Sequence, residues 1–320
     1  MTPPGEGLQG AELGRRLREG DRSAAPAALN VIEDRSPRGR EQARALLAEA
    51  GTEPRSHLIG LTGPPGAGKS SLLSSLLPIW RQSGQSVAVL AVDPSSKVSG
   101  GSLLGDRVRI QHDPKDDGVL IRSTAAGTRL GGLAEATRDA AQALAAAFDV
   151  VVVETVGVGQ SETDVAELCD TVAVVVQPGS GDTLQFLKAG IMEVPDVLVV
   201  TKADMGDAAM RARRDLAAAL RAVGSRETPV VAVSSLPPAK GMDELVKALD
   251  EHRATLDIDA ARARMRRLGA ISAFAAEYGE RGLREIGGRR AAEKQLAGEA
   301  PDRTVPELIA LLESTRRDSP

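Results

Sequence analysis

Gly63-Pro64-Pro65-Gly66-Ala67-Gly68-Lys69-Ser70 follows the apolar run Leu58-Ile59-Gly60-Leu61 and leads into the helix-like Ser71-Leu72-Leu73-Ser74-Ser75-Leu76-Leu77. Strand, glycine-rich turn and helix in that order, with G-x-x-x-x-G-K-[ST] at the turn, predict a loop that holds the phosphates of a nucleoside triphosphate. Glycines let successive backbone N–H groups converge on a β-phosphate at a helix N-terminus, where the helix dipole also favours negative charge. In such a loop Lys69 neutralises β- and γ-phosphate oxygens and the Ser70 hydroxyl ligates Mg²⁺. Ser71 opens the helix behind them.

Working outward, short β-branched runs alternate with helical stretches at 57–62, 87–92, 118–122, 150–153, 171–177, 196–200 and 229–233. This alternation predicts an α/β fold, a mostly parallel sheet of about seven strands with helices on both faces. Residues 1–55 form an Ala-, Arg- and Glu-rich helical extension. The nucleotide-binding domain is expected at 56–255. Residues 256–320 read as a helical arm broken at Gly279, Gly282, Gly287-Gly288 and Pro301, a possible dimerisation element. Its cluster Arg262, Arg264, Arg266 and Arg267 reads as a solvated helix face.

Two strands end in acids. Val150-Val151-Val152-Val153 runs into Glu154-Thr155-Val156-Gly157, so Glu154 is placed to hold Mg²⁺, through water, while the Gly157 N–H can reach the γ-phosphate. Val87–Val92 runs into Asp93, and Asp106 follows. In open parallel sheets ligands sit at the C-terminal strand ends, so both are candidates for holding Mg²⁺ through water or for orienting an attacking water. Asp106 can equally cap or pair within a helix. Base choice is expected at Thr201-Lys202-Ala203-Asp204: Asp204 can accept from guanine N1–H and N2–H₂, which adenine does not present, and the Lys202 stem can lie over a purine. The chain has 8 lysines against 32 arginines, and two of the eight are Lys69 and Lys202.

Composition narrows the partners. Across 320 residues 42% are hydrophobic but only 2% aromatic, so the core is built from Ala, Val, Leu and Ile and stacking platforms for single-stranded nucleic acid are scarce. A net charge of −4 offers no basic field, so nucleic acid is not an expected partner. Cys169 is the only cysteine, and His57, His112 and His252 lie far apart in sequence, so no disulfide framework or Cys/His metal motif can be drawn. No run approaches eighteen apolar residues and the N-terminus lacks a signal-peptide pattern, which reads as a cytoplasmic protein without a membrane partner.

These residues together resemble the MeaB/ArgK family of P-loop GTPases, relatives of the nickel-insertion GTPases and of the human methylmalonic aciduria type A protein. The likeness spans about 55–255 and extends to Ala91-Val-Asp-Pro-Ser-Ser96, Gly100-Gly-Ser-Leu-Leu-Gly-Asp106, Gly131-Gly-Leu-Ala134, Glu154-Thr-Val-Gly-Val-Gly-Gln-Ser-Glu162 and Gln177-Pro-Gly-Ser-Gly-Asp182. It implies GTP as substrate, with Mg²⁺, and no tightly held cobalamin. Asp93–Asp106 would form a first switch, Glu154–Asp164 a second containing Gln160, and Gln177–Lys188 a third in which Asp182, Gln185 and Lys188 couple to a partner. The implied partner is an adenosylcobalamin-dependent methylmalonyl-CoA mutase, whose cofactor loading such a chaperone gates and which it protects; a homodimer is expected. The alternatives are a metal-insertion GTPase, which normally shows a Cys/His cluster, and an ATP- or GTP-dependent kinase. One position departs from the family: its base-reading tetrad begins with Asn, whereas this chain has Thr201. The loop Ser234-Ser235-Leu236 resembles the family's Ser-Ala-Leu and is expected to reach the base through backbone N–H groups.

Overall fold

In the computed structural model of the chain, residues 8–53, 55–93, 110–125, 135–155, 165–179, 195–222, 224 and 227–317 are described. The β-branched runs among them become seven strands: β1 (His57–Thr62), β2 (Val87–Asp93), β3 (Val119–Ala125), β4 (Val150–Thr155), β5 (Thr171–Val176), β6 (Val197–Val200) and β7 (Val230–Ala232). They lie in the order β3-β2-β4-β1-β5-β6-β7. Each neighbouring pair is parallel, so the expected mostly parallel sheet is parallel throughout these strands.

Continuous valine runs, rather than alternating ones, make these strands because both faces of the sheet are covered. Ile59, Leu61, Val89, Val152, Val175 and Val199 share one apolar cluster with Leu72, Leu73, Leu76 and Trp80 of α4 (Lys69–Gln82) and with Leu245 and Leu249 of α7 (Met242–Ala254). The intervening Leu58, Leu90, Val151, Val153, Val174 and Leu198 are equally buried. Helix α6 (Asp207–Ala222) buries Ala209, Leu216 and Leu220 beside β6 and β7. The register that matters sets Leu61 opposite Glu154 and Thr62 opposite Val174, so an acid stands beside the strand that enters the phosphate loop.

The N-terminal strand ends carry a polar chain centred on the buried His57 and Thr171. His252 Nε2 lies 3.2 Å from Asp196 Oδ1, so it donates there and leaves Nδ1 to accept the Thr171 hydroxyl at 3.0 Å. The same hydroxyl oxygen accepts from His57 Nε2 at 2.9 Å, and His57 Nδ1 lies 3.6 Å from Asp250. One threonine thus satisfies two imidazoles whose positions in sequence gave no hint of proximity. Replacing it leaves His57, only 2% exposed, without a partner at Nε2. Thr171→Val is expected to cost about 1–3 kcal/mol of stability and Thr171→Ser much less, which thermal unfolding of the two variants measures. Nucleotide binding at the phosphate loop should be unchanged at low temperature, because this polar chain lies at the opposite strand ends from that loop.

By Cα packing, Ser56–Thr137 and Phe148–Leu256 form one compact unit, and Met1–Arg55, Arg138–Ala147 and Asp257–Pro320 form another. In the second, α1 (Leu8–Arg18), α2 (Ala25–Glu33) and α3 (Pro37–Ala50) pack together. The backbones of α1 and α3 approach closely: a Cβ on Gly14 would stand 2.3 Å from the Leu46 carbonyl oxygen. Also in this unit are α8 (Ile258–Glu285), α9 (Arg289–Ala297) and α10 (Val305–Arg317), with Phe274, Leu283, Leu296, Leu308 and Leu312 at their centre. Helix α5 (Glu135–Ala145) completes the helices described. The basic cluster of α8 is not the solvated face expected from sequence. Arg262 is buried and only Arg264 of the four is exposed, while burial, then the charges of Arg262 and Arg267, hold the Arg266 guanidinium below its ordinary value.

Candidate functional site

The phosphate loop leaves β1 and turns through backbone conformations that demand glycine. Gly63 has φ 143°, and a Cβ there would lie 2.1 Å from the Val175 carbonyl oxygen. Gly68, in the left-handed region, is the N-cap of α4 and supplies no side-chain bond to the helix's first N–H groups. Those donors and the positive helix end face the loop and form an anion seat. Pro65 and Gly66 are exposed at its tip, whereas Ala67 is fully buried. Lys69 is 6% exposed and its Nζ donates to the carbonyl oxygens of Gly63 (2.7 Å) and Pro64 (3.2 Å), which orients the ammonium across the mouth of the loop.

Glu154 reaches this loop from the adjacent strand. The Ser70 hydroxyl donates to Glu154 Oε1 at 3.3 Å, and the carboxylate is buried. A hydroxyl and a carboxylate side by side, both hard oxygen donors, beside an anion seat, fit Mg²⁺, which takes one or two protein oxygens and keeps water and phosphate for the rest. Ser70 and Glu154 are the residues that would hold it. Asp93 closes β2 opposite Ala125, with its side chain outside the described residues.

On the other side of the phosphate loop, β6 ends in Thr201-Lys202-Ala203-Asp204. Lys202 has φ 54°, a left-handed conformation uncommon for a side chain of this kind, and its Nζ donates to Gln177 Oε1. Ala203 N–H donates to the Val233 carbonyl (2.9 Å), which ties the β6 loop to the β7 loop. The exposed Asp204 carboxylate accepts the Ser234 hydroxyl at 2.8 Å, and Ser234 Oγ accepts Leu236 N–H at 3.3 Å. The Ser234–Leu236 loop therefore acts on Asp204 through a side chain. Two of the N–H groups expected to serve a base, those of Ser234 and Leu236, are spent on Lys240 O and Ser234 Oγ.

The fold thus gathers Gly63–Ser71, Glu154, Thr201–Asp204 and Ser234–Leu236 at the C-terminal ends of β1, β4, β6 and β7. Asp106, Gly157, Gln160, Asp182, Gln185 and Lys188 lie outside the described residues. Sequence reasoning missed the role of Thr201, which is buried and bonded to the Ala67 carbonyl at 2.6 Å. The signal was available in its buried strand-end position, where a hydroxyl must find a partner. Cys169 is buried against Gly60. Among the described residues no group of three or more His, Cys, Asp or Glu is placed to hold a metal, and no helix is long and apolar enough to cross a membrane.

Comparison with known proteins converges on one family. The family model described as Methylmalonyl Co-A mutase-associated GTPase MeaB matches residues 25–278. GTPase ArgK of Escherichia coli is 42% identical over 199 residues, which cover 61% of this chain and 59% of that protein. A mitochondrial methylmalonic aciduria type A homolog of Caenorhabditis elegans is 36% identical over 264 residues, 77% of this chain and 66% of that one. The crystal structure of a LAO/AO transport system kinase is similar with a TM-score of 0.66 and 26% identity, covering 91% of this chain and 97% of that chain.

Proposed function

The chain belongs to the MeaB family of methylmalonyl-CoA mutase-associated GTPases, and from that premise we propose that it is a GTP-driven chaperone of an adenosylcobalamin-dependent methylmalonyl-CoA mutase, gating cofactor loading and protecting the enzyme from inactivation. The observation that carries the nucleotide half of this reading is the convergence of Lys69, Ser70 and Glu154 on one side of the phosphate loop with Asp204 and Ser234 on the other. The mutase half is supported by the family's name and by the methylmalonic aciduria type A homolog among the relatives.

In this reading the backbone N–H groups of 63–71 and the Lys69 ammonium hold the β- and γ-phosphates, and Asp204 reads the guanine edge. Ser70 and Glu154 would hold Mg²⁺, which would supply positive charge to offset the charge that develops on the phosphates. Asp93 orients the attacking water, with Asp106 as the second acid. The Gly157 N–H senses the γ-phosphate, and Gln160, Asp182, Gln185 and Lys188 transmit its loss to the mutase. Residues 56–255 carry the nucleotide, and the helical segments 1–55 and 256–320 support a homodimer. Turnover is expected to be slow until a partner completes the site, as in other P-loop GTPases whose catalytic groups are supplied in trans.

The test is hydrolysis of GTP by the purified chain with and without the mutase, ATP run in parallel. We expect GTP-selective phosphate release stimulated by at least one order of magnitude, a small part of the roughly 10³–10⁵ that partner-supplied groups give other P-loop GTPases. Indifference to the mutase would remove the chaperone role while leaving the GTPase. A phosphorylated product other than inorganic phosphate would mark a kinase.

A further inference from the structure

Position 201, where the family's tetrad carries Asn, is occupied here by a side chain whose hydrogen-bonding capacity is already committed. Thr201 is 4% exposed, and its Oγ1 lies 2.6 Å from the Ala67 carbonyl oxygen in the phosphate loop and 3.1 Å from the Val176 carbonyl oxygen at the end of β5. Both neighbours can only accept, so the single hydroxyl proton is given to one of them, and the shorter contact selects Ala67. The Thr201 N–H is also taken, by Val176 O at 2.9 Å. What the residue has left to offer outward is lone pairs alone.

A purine N7 is an acceptor and needs a donor. An asparagine at this place carries two amide hydrogens, one for the Ala67 carbonyl and one for N7, whereas threonine carries one hydrogen and has spent it. Resting on the reading that the base lies against 201–204 and 234–236, we infer that Thr201 is a positioning residue that ties the base-reading loop to the phosphate loop, and that this chain binds guanine nucleotide with no donor to N7 from position 201. Guanine recognition then falls on the Watson–Crick edge through Asp204, held in orientation by the Ser234 hydroxyl. The hold on nucleotide is weakened without loss of selectivity over adenine, because guanine and adenine share N7 and differ at the edge that Asp204 meets.

Equilibrium binding of GDP, 7-deaza-GDP and inosine diphosphate to the full-length chain separates these terms. The wild-type protein is expected to bind GDP and 7-deaza-GDP within about twofold of each other, and Thr201→Asn to prefer GDP over 7-deaza-GDP by roughly three- to tenfold, the worth of one net hydrogen bond. Thr201→Val, which loses the tether, should weaken both nucleotides equally, and Thr201→Ser should restore them. A tenfold loss with 7-deaza-GDP in the wild-type protein would overturn the inference, and that comparison needs no variant. Failure of Thr201→Asn to discriminate, when it binds GDP normally, would overturn the placement of position 201 beside N7. Inosine diphosphate tests the underlying reading separately: it lacks the 2-amino group but keeps N1–H, so binding equal to GDP would mean that Asp204 does not accept the guanine 2-amino group, whatever happens at N7.

Discussion

Lys69→Ala is expected to lower kcat/KM for GTP by at least about 10²–10³, the loss that follows removal of one preorganised donor to charge developing in a transition state. The magnitude follows from where the ammonium sits. It is 6% exposed, bonded to the Gly63 and Pro64 carbonyl oxygens, and so held at the loop rather than swinging in solvent. An ammonium fixed in advance pays little entropy when phosphate arrives, and its charge acts where water is largely excluded. Lys69→Arg should recover little, because a planar guanidinium cannot occupy the volume of a compact ammonium between those two carbonyls. Lys69→Met keeps the buried stem and separates loss of charge from loss of packing. Hydrolysis by Lys69→Met within tenfold of wild type, with an intact melting curve, would place the phosphates elsewhere.

The sheet was readable because its physics leaves a one-dimensional trace. A parallel strand covered on both faces is a run of β-branched residues, and all seven such runs became strands, even the three-residue β7. The phosphate loop was readable because its glycines answer to local backbone geometry, as Gly63 and Gly68 show. Breaks in the C-terminal arm were readable only in part. Gly279, with φ 68°, kinks α8, and Gly287 and Gly288 separate α8 from α9. Gly282, expected to break the arm, instead lies buried inside the helix against Tyr278. A glycine's freedom shows that a break is allowed there, not that the chain takes it.

What could not be read were partnerships across long separations. Thr201 meets Ala67 across 134 residues, and the two histidines joined by Thr171 begin β1 and end α7. Separation in sequence argued against a histidine motif, and it was silent on proximity because a parallel sheet brings distant strand ends together. The buried Arg262 has a related cause: helical charge patterning identifies a basic face but not whether tertiary packing buries it.

Asp204→Asn should exchange guanine for xanthine. Guanine presents two donors, N1–H and N2–H₂, to a carboxylate, and losing acceptance at one of them, at about 1.5–3 kcal/mol for a bond to a charged group, lowers GTP affinity by roughly 10–10². Xanthine replaces the amino group by a carbonyl, so an amide that accepts with Oδ1 and donates with Nδ2 matches it where a carboxylate repels it. Which way the new amide faces is decided by Ser234. Its oxygen already accepts Leu236 N–H and its proton goes to Asp204 Oδ1 at 2.8 Å, so in the variant the hydroxyl continues to donate to the amide oxygen and turns Nδ2 toward the base. XTP should therefore become the preferred substrate of Asp204→Asn, measured as kcat/KM for XTP against GTP. Adding Ser234→Ala should erode that preference, because the amide is then free to flip and present its oxygen to the xanthine carbonyl. If Asp204→Asn loses GTP without gaining XTP while Ser234→Ala has no effect on either, the base does not lie against this loop.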